Sequence, residues 1–179
     1  MPHGGGCLAG SFVCADGDPQ TRRESPRRLL DVVAPRSVDQ RIVDTRQRLE
    51  HDVDAWVATT SPDRPWLIPL SFLWHEDRLL FATNANSPTA MNIGLVRRVR
   101  VALGTVRDVV IIDGDADLAP SATLSSAEVE AYTTKHNSDL RTWADTVSHV
   151  APLRVQAWRE ENEIAGRTIM RTGVWVSNP

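Results

Sequence analysis

Pro65-Trp-Leu-Ile-Pro-Leu-Ser-Phe-Leu-Trp74 is the stretch on which the fold turns. Ten residues rich in aromatic and branched side chains, flanked by the turn sequences Ser61-Pro-Asp-Arg64 and His75-Glu-Asp-Arg78, read as one long strand. At a period of two, Trp66, Ile68, Leu70, Phe72 and Trp74 share one face, and Leu67, Pro69, Ser71, Leu73 and His75 share the other. Both faces are expected to be largely covered. Pro69 cannot donate to a ladder, so it marks a bulge, an edge, or a place where something other than a strand lies beside the backbone.

Elements assemble outward from that strand. Upstream, Asp54-Ala-Trp-Val-Ala-Thr-Thr60 is rich in β-formers and completes a hairpin with it. Earlier still, Ser37-Val-Asp-Gln40 has the form of a capping box. Ile42, Val43, Arg46 and Leu49 follow at helical spacing, which predicts a helix over 38–51. Downstream, Leu79-Leu-Phe-Ala-Thr83 is a third strand. Ser87 is a good N-cap with Pro88 at the first helical position, opening a short helix to about Arg98. Arg98 to Gly104 and Asp108 to Leu118 read as two more antiparallel strands. Ser125-Ser-Ala-Glu128 opens a helix to about His136, and Leu140 to Thr146 reads as a further helical turn or two. Leu153 to Trp158 is a sixth strand, and Arg167 to Arg171 with Val174 to Val176 closes the chain around a Thr172-Gly173 turn. Six or more mainly antiparallel strands with helices at the connections predict a mainly β fold, a small closed barrel with flanking helices.

Composition narrows the function classes. The chain has 179 residues, 41% hydrophobic and 24% charged, the balance of a globular domain that can bury one core without disulfides. Formal charge is −3, so no general attraction for nucleic acid or anionic lipid is expected. No apolar run approaches the roughly 18 residues of a membrane-spanning helix. Residues 1–36, with Gly4-Gly5-Gly6 and the charged run Thr21-Arg-Arg-Glu-Ser25, lack a sustained period and are read as a disordered tail before one domain over 37–179. Cys7 and Cys14 both fall in that tail, which suits a reducing cytoplasm, and no basic residue precedes the weakly apolar Cys7–Ala15 segment.

Motif searches return little catalytic regularity: no G-x-G-x-x-G, Walker loop, G-x-S-x-G or H-E-x-x-H. His51, His75, His136 and His149 lack metal-ligand spacing, and no metal is expected. Asp113-Gly-Asp-Ala-Asp117 is not a calcium loop, because Leu118 stands where such a loop needs Gly and Leu124 where it needs Glu. At strand period the three aspartates share a solvated face.

The most informative segment is Phe81-Ala-Thr-Asn-Ala-Asn-Ser-Pro-Thr-Ala-Met-Asn-Ile93, a strand running into a Ser-capped helix. Such a start presents N–H groups and the positive end of the helix dipole, with Thr83, Ser87 and Thr89 adding hydroxyls. With its neighbours it resembles the pyridoxamine 5′-phosphate oxidase-related family of FMN- and deazaflavin-binding split β-barrels. Trp56-Val-Ala-Thr-Thr60, Arg64-Pro-Trp-Leu-Ile-Pro-Leu70, Leu80-Phe-Ala-Thr-Asn84, Ser87 with Ala90 and Asn92-Ile93, Arg100-Val-Ala-Leu103 and Val109 to Asp115 fall in family order. The resemblance covers about residues 40–120 well and 121–179 loosely.

That resemblance implies a six-stranded antiparallel split barrel that works as a homodimer, with two cofactor sites at the subunit interface. The cofactor is FMN or the deazaflavin coenzyme F420. Its ring is expected along Trp66, Leu67, Ile68, Pro69, Leu70 and Ser71, and its phosphate near Ala82, Thr83, Ser87, Pro88 and Thr89. Members that grip FMN phosphate usually carry Arg and Lys just after the serine, where this chain has Pro88 and Thr89. Losing two charge-assisted hydrogen bonds, each on the order of 1.5–3 kcal/mol, lowers affinity by decades unless another Arg compensates. Arg97, Arg98 or a partner-subunit Arg are the candidates. The family's lysine at the end of the ring strand is also absent, which argues against pyridoxamine phosphate as substrate. The expected activity is a flavin- or deazaflavin-dependent oxidoreductase acting on a small organic molecule. The alternative is a non-catalytic cofactor- or haem-binding barrel, and a bare scaffold for a protein partner is a third. One of Arg154, Arg167 or Arg171, spaced along the late strands, is expected to reach the partner subunit's cofactor.

Overall fold

A computed structural model describes residues 34–176. Helix α1 (Val38–His51) is followed by strands β1 (Asp54–Thr60), β2 (Pro65–His75) and β3 (Arg78–Thr83). Helix α2 (Pro88–Val96) leads to β4 (Arg98–Thr105) and β5 (Asp108–Pro120), and helix α3 (Ser126–His136) leads to β6 (Thr146–Trp158). A small hairpin of β7 (Thr168–Arg171) and β8 (Val174–Trp175) ends the described chain.

Every pairing is antiparallel, and the sheet closes because β3 pairs with β6 as well as with β2. The result is a six-stranded barrel in the order β1-β2-β3-β6-β5-β4, with three flanking helices and the β7–β8 hairpin carried on β6. Closure uses length: β5 and β6, 13 residues each, pair along nearly their whole run, and the other edge of β6 is shared by β3 at Thr146–Val150 and β7 at Arg154–Gln156.

The alternation read from sequence fills the barrel. Val57, Phe72, Leu79, Phe81, Val101 and Ile112 point inward and are almost wholly buried, with the Phe72 and Phe81 rings 6.1 Å apart. A second cluster lies outside the wall, where Tyr132 of α3 and Leu140 cover Leu73, Leu80, Ala82 and Val147. Strand β3 is therefore buried on both faces.

Capping follows the local chemistry. Ser37 Oγ accepts from the Gln40 N–H, but the Gln40 side chain donates to Asp44 instead of returning to the cap, so only half of the expected box forms. Ser125 and Glu128 form both halves. Two glycines are required by geometry. At Gly104 φ is +84°, and a Cβ there would lie 2.3 Å from the Asp108 carbonyl oxygen. At Gly114, where the register with β6 shifts, a Cβ would lie 2.7 Å from the Ala151 carbonyl oxygen. Pro152 sits opposite Gly114 at that bulge, where a missing N–H costs least.

Three readings are corrected. The α2 helix ends at Val96, with Arg97 as a left-handed cap, and β4 begins at once. The stretch 140–146 holds one 3-10 turn, Leu140–Thr142, and the sixth strand starts at Thr146 rather than Leu153. Strand β2 is not covered on both sides: Leu67 is 58% exposed and Pro69 is also exposed. Most of the tail assigned to residues 1–36, including both cysteines, lies outside the described residues. At its end Arg36 is tied to the barrel by ion pairs with Glu163, Asp44 and Asp108.

Candidate cofactor site

Strand β2 pairs with β1 along residues 65–71 but meets β3 only from Phe72 to His75. The first seven residues of β2 thus present one backbone edge to which no strand pairs among the described residues. The direction of that edge follows from ladder parity. Phe72 N–H donates to the Val53 carbonyl, so even-numbered residues turn their N–H and C=O toward β1. Odd-numbered residues, Leu67, Pro69 and Ser71, turn theirs outward. Pro69 therefore falls where no N–H is called for by a neighbour. The edge reading of Pro69 is the one the register supports.

The two faces of this half-strand differ. Trp66, Ile68 and Leu70 are half-buried toward the barrel. On the outside, Leu67 and Pro69 lie beside Trp56, which is 51% exposed, with Ala58 and Ala102 continuing across β1 and β4. At the far end, Ser71 Oγ donates to Asp54 Oδ1 at 2.6 Å. Beyond it the His136 ring nitrogen bonds the Phe72 carbonyl oxygen at 3.0 Å, and burial holds that imidazole below the usual histidine range. Lys135, the single lysine, lies 4.2 Å from the Phe72 ring centroid, and burial lowers its ammonium pKa.

The α2 start is built differently from the phosphate cradle expected of it. Ala82 and Thr83 are buried, and Thr83 Oγ1 pairs with Ser87 Oγ at 2.8 Å. Ser87 Oγ accepts from the Ala90 N–H at 3.1 Å, and the Ser87 carbonyl accepts from the Met91 N–H. Pro88 has no N–H. Thr89 is 2% exposed with its hydroxyl turned inward and unpartnered. The hydroxyls proposed for phosphate thus cap and pack the helix, and neither Pro88 nor Thr89 carries a charge. Arg97 and Arg98 do not compensate. They sit at the opposite end of α2, paired with Asp117 and Asp115, while Asp113 pairs with Arg100. The three aspartates lie on a solvated sheet face, as their spacing suggested.

A pocket of about 320 Å³ lies beside this helix, between it and the β1–β2 turn. Arg64 lines it with Trp66, Pro88 and Asn92, and the Asn92 amide N–H donates to Thr59 Oγ1 at 3.0 Å. Sequence reasoning missed Arg64 because it belongs to a turn; its closeness to α2 depends on how the hairpin bends. Arg154 and Arg171 face each other across β6 and β7. With its amide oxygen turned toward Arg154 and Arg167, Gln156 accepts from Arg167 Nε and Arg154 Nη2 at 2.8 and 3.0 Å. The histidines stay apart: His149 meets Glu128 at 2.8 Å and His51 meets the Gln47 carbonyl.

The unpaired edge of β2 fits a planar heterocycle with acceptors and donors along one side. The α2 start does not fit its phosphate.

No family model and no curated protein matches the chain. Solved structures do. It is similar to a provisionally assigned pyridoxamine 5′-phosphate oxidase from Listeria innocua, with 15% identity, 66% of this chain and 98% of that one covered, and a TM-score of 0.53. An F420 reductase matches at 18% identity over 62% of this chain and 94% of that one, TM-score 0.51. General Stress Protein 26 from Bacillus anthracis matches at 17% identity over 65% and 92%, TM-score 0.52. The chain has the split β-barrel fold of pyridoxamine 5′-phosphate oxidase-like proteins.

Proposed function

We propose that the chain is one subunit of a homodimeric flavin- or deazaflavin-dependent oxidoreductase acting in the cytoplasm on a small organic molecule. The observation that carries this reading is the unpaired edge of β2 over residues 65–71. Outward N–H groups of Leu67 and Ser71 and outward carbonyls of Leu67 and Pro69 complement the alternating carbonyls and N–H of a flavin or deazaflavin pyrimidine edge. Trp66, Ile68 and Leu70 would orient the ring and keep water from one side of it. The cofactor, when bound, supplies the hydride chemistry.

The dimer is supported by the bare outer face of Trp56, Ala58, Leu67, Pro69 and Ala102. An antiparallel sheet normally turns polar residues to water on its outer face, and an apolar face marks a binding surface. In that dimer one of Arg154, Arg167 and Arg171 reaches the partner's cofactor. An Arg→Ala series with unchanged cofactor affinity would count against this. Among the described residues no helix is long and apolar enough to cross a membrane.

A second reading, a non-catalytic cofactor- or haem-binding barrel, is favoured by a specific observation: residues 65–71 carry no titratable side chain, and nearby Asp54 is engaged by Ser71. Stopped-flow reduction of bound FMN by a nicotinamide donor separates the two. Acceleration over free FMN supports the oxidoreductase, whereas tight binding with an unchanged rate supports the binder.

A further inference from the structure

We infer that Arg64 is the cation for the ligand's anionic end, holding it in the pocket between the β1–β2 turn and the first turns of α2 and not at the hydroxyls of Thr83, Ser87 and Thr89. This rests on the cofactor reading above and relocates its phosphate. The argument begins with charge. Arg64 makes no ion pair with any described carboxylate, in contrast to Arg97 and Arg98 at the other end of α2. Its guanidinium lies 5.9 Å from the Trp66 ring centroid, leaving its donors free while the ring supports its face.

Arg64 is also pre-positioned. Its carbonyl accepts from the Ser61 N–H at 3.1 Å, and its own N–H donates to Ser61 Oγ at 3.3 Å, which closes the turn. The opposite wall is fixed because Asn92 is bonded to Thr59. Trp66 joins the two subsites: it lines this pocket and stands beside Leu67 near the start of the unpaired stretch of β2, so a ligand lying along 65–71 runs into the pocket at its Trp66 end. The Trp66 indole N–H is buried with no partner, so an additional donor stands at the junction. Asp63 lines the same pocket and opposes an anion, which sets a limit on affinity.

FMN and riboflavin share the ring and differ in the phosphate, so their affinity ratio reads this subsite alone. In the unmodified chain FMN is expected to bind about tenfold to a hundredfold more tightly than riboflavin, the worth of one charge-assisted contact. Arg64→Gln should bring the ratio close to one while leaving riboflavin affinity and the melting temperature unchanged. Asp63→Asn should widen it. A ratio that survives Arg64→Gln overturns the assignment, as does one that collapses only in Ser87→Ala. If neither flavin binds, the cofactor reading fails by itself, and inorganic phosphate decides the remainder. A shift of the Trp66 indole N–H resonance on adding phosphate, absent in Arg64→Gln, upholds the anion site. No shift overturns it.

Discussion

Glu163→Gln perturbs the contact that ties the start of the described chain to the barrel, and its effect can be worked from the geometry. Glu163 is 3% exposed and accepts from the Arg36 N–H at 2.8 Å, Arg36 Nε at 3.0 Å, Arg36 Nη2 at 2.7 Å and the Arg159 N–H at 2.7 Å. These donors, the Arg36 side chain first and against the opposing effect of burial, hold its carboxyl at about 2, below the ordinary 4.5. At 1.36 kcal/mol per unit that difference amounts to about 3 kcal/mol. Gln keeps one acceptor oxygen, and solvent at the Asp44 and Asp108 rim screens part of the charge, so the expected loss is about 2 kcal/mol. Because the folded-state pKa lies below the unfolded one, this stability is fully present above pH 4.5 and is lost as pH falls through about 2. Urea unfolding at several pH values should show a gap of about 2 kcal/mol between the two proteins at pH 7, closing as pH approaches 2. A gap below about 0.5 kcal/mol at pH 7, or one that stays constant on acidification, would refute the reasoning.

Three further outcomes are expected. Phe72→Ala opens a cavity in the wholly buried barrel core beside Phe81 and should cost about 3–5 kcal/mol in denaturant unfolding. Trp56→Glu places a charge on the bare outer face, and sedimentation should show a dimer for the unmodified chain and a monomer for the variant. Burial holds the His136 pKa below its ordinary value of 6.5, so the fold favours the neutral imidazole, and that contribution is present above pH 6.5 and lost as pH falls through the lowered value. His136→Gln should therefore flatten the acid-side loss of stability below pH 6.5, read from melting temperatures across pH.

Much of the architecture was legible because its signals are local. Ser37, Ser87 and Ser125 each cap the helix they announce, and the two-residue alternation in 65–75 and 98–104 matches the residues that fill the barrel. What escaped reading depends on distant partners. Thr146 to Ala151 pairs with β3 and β5, but nothing in its own spacing separates it from the helical turn before it, and Pro152 discourages a strand until the Gly114 bulge opposite is known. Arg36 and Glu163 stand 127 residues apart, so their pairing leaves no trace in either neighbourhood. At the site, the edge character of Pro69 was foreseeable from its missing N–H. The inward turn of Thr89 was not, since a threonine early in a helix can present its hydroxyl to either side.

The central claim is that the unpaired edge of β2 holds a flavin-type ring. Its most direct test is a visible spectrum of the purified protein, then titration with FMN, the deazaflavin and haem followed by tryptophan fluorescence, in the unmodified chain and in Leu67→Glu. The account predicts that FMN or the deazaflavin quenches the fluorescence at micromolar concentration or below and that Leu67→Glu abolishes the response. Binding of haem alone, or of none of the three at micromolar concentration, would contradict it.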